Sequence, residues 1–134
     1  MKSFILLALL LSSTHCFALK IEKQTKEKLF DVTKHFLTSV ETGNKDLYQK
    51  SVSKKFYDQQ HANGFVKKAF SKKKNKDSSS IDFDFKIKKG AVDKDFYFVN
   101  FKEKKDRSYS DTWLIIKKNL KGSFVIDGIH HFED

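Results

Sequence analysis

Ile81-Asp82-Phe83-Asp84-Phe85-Lys86-Ile87-Lys88 alternates apolar and charged residues without a fault. Successive side chains of an extended chain point to opposite faces, so this octet reads as a strand with one buried and one wet face. Upstream of it the apolar period is different. From Leu19 to Thr42, Ile21, Leu29, Val32, Phe36 and Val40 fall on one helical stripe, widened by Phe30 and Leu37. Gly43-Asn44 then supplies residues that tolerate the left-handed conformation that closes a helix. The change of period around Ser80 therefore sets the class: helices first, strands after.

Working outward from the octet, Lys89-Gly90 turns the chain into a second strand, Val92 to Lys102, with aromatic residues on both faces. Glu103 to Arg107 is a charged turn, Tyr109 to Lys118 a third strand centred on Trp113, and Ser123 to Phe132 a fourth. Short connections between successive strands favour an antiparallel meander. Before the octet, Asp46 is placed to cap a short second helix, and Lys55 to Asp58 reads as a brief strand or an irregular connection. Asn63 is placed to cap a further helix whose apolar side is Phe65, Val66, Ala69 and Phe70. The expected fold class is α+β, with N-terminal helices packed on a curved antiparallel sheet.

Met1 to Ala18 reads as a secretory signal peptide. Lys2 precedes an apolar run from Phe4 to Leu11, and Cys16-Phe17-Ala18 puts small residues where signal peptidase cuts. The run is about half the roughly 20 residues that span a bilayer, and no later segment is apolar enough, so no transmembrane segment is expected in the mature chain. The expected organisation is a signal peptide, 1–18, and one domain, 19–134. Cleavage removes the only cysteine, so a secreted, extracellular chain would have to rely on its hydrophobic core rather than on disulfides. Fourteen Phe, four Tyr and one Trp provide the material.

The formal net charge is +10, and Arg107 is the single arginine among 27 basic residues. Lysine is a hydrated point charge, whereas arginine offers the planar fork that grips phosphate or carboxylate in two places. The densest basic run holds Lys67, Lys68, Lys72, Lys73, Lys74 and Lys76. Its natural extracellular counterpart is an anionic polysaccharide or lipid surface. Only Phe70 interleaves it, so the run lacks the stacking aromatics of a nucleic-acid groove, and nucleic acid is a remote third partner.

Helices followed by a curved meander that ends in Asp111-Thr112-Trp113-Leu114-Ile115-Ile116-Lys117 and Phe124-Val125-Ile126-Asp127-Gly128-Ile129 have a counterpart. Together with Glu41-Thr42-Gly43-Asn44-Lys45-Asp46-Leu47 and Phe56-Tyr57, these segments resemble the nuclear transport factor 2-like, or SnoaL-like, superfamily, and in particular its small secreted nematode members. The resemblance implies a cone-shaped fold with a pocket between sheet and helices, and a tendency to dimerise through the sheet. It implies no particular chemistry, because one fold hosts isomerases, dehydratases, cyclases and plain binding modules.

No metal-binding, phosphate-loop or nucleophile-elbow motif occurs, so neither a metal nor another cofactor is expected. His130 and His131 are adjacent on the last strand and point to opposite faces, with Gly128 a place where a bulge could switch their parity. His130 and Asp111 are the catalytic candidates, should the cavity need a proton-transfer base. Asp31 and His35, one helical turn apart, lie off the apolar stripe and read as a solvated pair. Tyr97, Phe101 and Trp113 exceed what one covered face needs if Phe96 and Phe98 fill the other, which marks them for a ligand pocket or a sheet interface. The resulting expectation is a secreted non-enzymatic binding domain that holds a small apolar ligand or forms a homodimer. The alternatives are a SnoaL-like proton-transfer enzyme and attachment to anionic matrix through the Lys67–Lys76 run.

Overall fold

The structure, a computed structural model, describes residues 21–71, 82–90 and 96–131. The expected signal peptide lies outside the described residues, as do Lys72, Lys73, Lys74 and Lys76. Helix α1, Lys23–Thr42, buries Leu29, Val32, Phe36 and Leu37 on the expected stripe. Thr33 and Ser39 share that buried side without leaving a polar group unpaired. Their hydroxyls donate to the carbonyls of Leu29 (2.7 Å) and Phe36 (2.6 Å). The helix stops at Gly43, whose φ of 71° is the left-handed closure that glycine accepts without strain.

The next two caps differ from the sequence reading. Asn44, not Asp46, caps α2 (Lys45–Ser51), accepting from the Leu47 N–H at 3.0 Å, and Asp46 sits in the first turn instead. The segment expected to be a strand or an irregular link at Lys55–Asp58 is helical. Ser53 caps α3 (Lys54–Ala62) by accepting from the Phe56 N–H at 3.1 Å, a serine-based start that two adjacent aromatics masked. Asn63 ends α3 rather than starting α4. Its N–H bonds to the Gln59 carbonyl at 3.0 Å, and Gly64, at φ 76°, leads into α4 (Phe65–Phe70).

Four strands follow, β1 (Phe83–Lys89), β2 (Phe96–Glu103), β3 (Thr112–Lys118) and β4 (Phe124–His131), in the spatial order β1-β2-β3-β4 and antiparallel throughout. This is the expected meander, and the chain is α+β. Register assigns the faces. Phe85 pairs with Phe101, Ile87 and Leu114 with Val99, and Tyr97 with Ile116, so these side chains share an inner face. The core forms there: Leu29 and Tyr48 from the helices meet Val99, Leu114, Ile116 and Ile126 from the sheet, all exposed by 1% or less. Burying each of the aliphatic side chains among these is worth about 1.5–3 kcal/mol.

The β3–β4 pairing shifts between Ile115 and Ile116, which face Gly128 and Ile126, so Asp127 is the extra residue of a bulge. Two contacts hold it. The Ser53 hydroxyl donates to Asp127 Oδ1 at 2.7 Å, and Lys117 Nζ lies 3.5 Å from Oδ2. The Ser53 N–H also donates to the Ile126 carbonyl at 2.8 Å, so one serine starts α3 and ties it to the edge of the sheet.

Candidate functional site

The bulge decides what faces the helices at the end of β4. It returns Ile129 and His131 to the inner side, opposite Leu114 and Thr112, and sends His130 outward opposite Trp113. His130 was a candidate for a cavity base. It instead meets Phe98 on the outer face, with ring centroids 5.8 Å apart. Asp111 is exposed and lines neither described cavity, so the two catalytic candidates do not converge on one site. His131 ends the inner row, exposed, with its Nδ1 3.3 Å from the Thr112 hydroxyl.

The three surplus aromatics also divide. Tyr97 is core: it is 9% exposed and stands edge-on to Phe124 at 5.7 Å. Trp113 pairs with Asn100 and so belongs to the outer face, away from the other two. Of the three, only Phe101 lines either of the two described cavities. The charge run contributes Lys67 and Lys68, both exposed, in the last turn of α4, and the rest of it lies outside the described residues.

The cavity that Phe101 lines has a volume of about 430 Å³. One wall is the C-terminal half of α1, through Phe36, Leu37 and Val40. Phe65, at the start of α4, closes a second side, and Phe83, Phe101, Leu114 and Ile129 form the sheet wall. The polar residues lining it are Glu41, Lys102, Glu103, Asp106, Ser108, Ser110 and Thr112, most of them from the end of β2 and the β2–β3 connection. Lys105, from the same connection, binds Glu103 at 2.7 Å. That hydrogen bond, reinforced by the charge on Glu103, raises the lysine's pKa above its ordinary value.

Exposure marks this cavity out from the rest of the molecule. Among the described residues, the large apolar side chains exposed to water are Phe65 (37%), Leu120 (108%) and Ile129 (42%). Leu120 is in the β3–β4 turn, whereas Phe65 and Ile129 both line the cavity. A chain with a well-filled core has therefore left two large side chains wet at one place, against a mostly apolar wall. Sequence reasoning missed Phe65 and Ile129 as a pair because they are 64 positions apart.

A second cavity, of about 440 Å³, lies where α1, α2 and the β3–β4 turn meet. Asp31 and His35, read as a solvated pair, line it with Lys28, Lys50, Ser51 and Phe124, and both remain exposed. No ion pair joins them among the described residues. Tyr48 is a buried titratable group of another kind. Its hydroxyl has no hydrogen-bond partner among the described residues, and its ring is packed among Phe36, Tyr57, Phe65 and Phe70 at 5.0–6.3 Å. Burial, with a smaller contribution from Tyr57, pushes its pKa up to about 12. Among the described residues no group of three or more His, Cys, Asp or Glu could hold a metal ion, and no helix is long and apolar enough to cross a membrane.

No family model, curated protein or solved structure matches the chain.

Proposed function

We propose that this chain is a secreted binding domain of the nuclear transport factor 2-like type that holds a small apolar ligand between its first helix and the inner face of its sheet. The carrying observation is that Phe65 and Ile129, wet and far apart in sequence, face one apolar cavity of about 430 Å³. That volume is within the usual range for small-molecule sites, roughly 300–1,000 Å³. The order of helices and meander supports the cone-shaped reading of the fold, with the cavity at the open end of the cone. The polar residues grouped at the β2–β3 end suit a ligand with one hydroxyl or other polar terminus and an otherwise apolar body.

A ligand of about 20 non-hydrogen atoms, at about 0.3 kcal/mol per atom, binds with a Kd of tens of micromolar. Titration with a fluorescent fatty-alcohol analogue tests the proposal. The expected result is saturable one-to-one binding that Ile129→Trp weakens at least tenfold, because the larger side chain occupies the cavity without disturbing the buried core. Equal binding by wild type and Ile129→Trp, or no saturable binding by the wild type, refutes it.

A further inference from the structure

The outer face of the sheet carries a second set of apolar side chains that the cavity does not use. Phe96, Phe98, Trp113, Ile115 and Val125 share this face by register, and none of them packs against the core cluster. They are only partly buried, and lysine side chains provide part of their cover. Lys88 Nζ sits 5.5 Å from the Trp113 ring centroid, and Lys86 Nζ sits 4.1 Å from that of Tyr109, which Lys102 Nζ also approaches at 5.5 Å. Two aromatic rings thus stand beside the exposed cations Lys86 and Lys88, while Lys102 is paired with Asp84 at 3.2 Å.

We propose that this face, centred on Trp113 and Tyr109 with Lys86 and Lys88, binds an acidic polysaccharide. Charge complementarity selects a polyanion. The chain carries +10 overall, and a second copy of it would bring lysines against lysines. The ring geometry selects sugars over nucleic-acid bases. Phe96 and Phe98 meet edge to face, at 4.8 Å and 80°, so they do not offer successive parallel platforms for stacked bases. A single indole beside separated point charges fits one sugar ring laid by its C–H face, with sulfate or carboxylate groups reaching the lysine heads. The Lys86 and Lys88 heads rest on ring faces in the free protein, so anions that draw them away also change the surroundings of Trp113. This site is distinct from the Lys67–Lys76 run, and the proposal does not depend on the cavity ligand.

Trp113 is the only tryptophan, so its emission reports this face alone. The experiment titrates the full-length mature chain with heparin fragments, following Trp113 emission and the salt needed for elution from immobilised heparin. The expected result is a saturable emission change, earlier elution at higher salt, and a 10- to 30-fold weakening (about one order of magnitude per one to two cations) in Lys86→Gln/Lys88→Gln. Both lysines are exposed, so the variant's thermal midpoint should match the wild type and show that it folds. Lys67→Gln/Lys68→Gln should weaken binding less than about threefold. Three results overturn the proposal: no emission change on binding, a larger loss in the Lys67/Lys68 variant, or tighter binding of a single-stranded oligonucleotide of equal charge. A concentration-dependent dimer in light scattering that shields Trp113 from iodide quenching overturns it as well.

Discussion

Replacing Tyr48 with Phe should stabilise the protein, which few changes at a fully buried aromatic do. The residue is 0% exposed, and its hydroxyl has no hydrogen-bond partner among the described residues, so folding strips that group of water and returns nothing. An unsatisfied buried polar group costs about 1–3 kcal/mol, and Phe keeps the ring contacts with Phe36 and Phe70. The expected gain at pH 7 is about 1–2 kcal/mol. The same hydroxyl sets an alkaline signature. Its pKa rises from 10.0 to about 12 on folding, so the folded state resists losing the proton. That contribution is fully present below pH 10 and is lost as pH climbs through 12. A shift of about two units amounts to about 3 kcal/mol. Urea unfolding followed by Trp113 fluorescence, at pH 7 and in steps from pH 9.5 to 12, measures both effects. Every other side chain is common to wild type and variant, so the difference between them reports on Tyr48. A variant less stable than wild type at pH 7, or one with an unchanged alkaline loss, refutes the reasoning.

Ser53→Ala should cost about 1–2 kcal/mol in urea unfolding, because it removes the α3 cap and the 2.7 Å bond that holds the Asp127 bulge. Leu29→Ala, at a fully buried site on α1, should cost about 2–5 kcal/mol. Gly122→Ala meets no neighbouring atom, so its cost of about 1 kcal/mol should come from the backbone alone, at a φ of 81°. Asn119→Ala should disturb the same turn, whose Lys121 and Ser123 N–H groups both donate to the Asn119 side chain at 3.0 and 2.9 Å, and should show as faster amide exchange there.

The strand expected at Ile81–Lys88, found as Phe83–Lys89 with Ile81 outside the described residues, and the α1 stripe were legible because periodicity is a local signal, and the meander followed from short connections. Caps were less legible. Asn44, Asp46, Ser53 and Asn63 are all residues that can start a helix, and which one does depends on where the neighbouring apolar groups pack. Register was not legible at all. Whether Trp113 shares a face with Tyr97 or with Asn100 turns on one residue of offset between strands, and whether His130 or Ile129 faces the helices turns on the Asp127 bulge. A bulge near Gly128 had a sequence signal, but the extra residue is Asp127, whose side chain is held by Ser53 from 74 positions away. The cavity joins Phe65 to Ile129 and was invisible for the same reason: long-range pairing leaves no local pattern.

Methyl-resolved NMR during titration with a medium-chain fatty alcohol tests the central claim most directly. Binding in the cavity should shift the methyl signals of Leu37, Val40, Leu114 and Ile129 while those of Ile115 and Val125, on the outer face, stay in place. Shifts confined to Ile115 and Val125, or an unmoved spectrum at millimolar ligand, would contradict a binding cavity beneath the first helix.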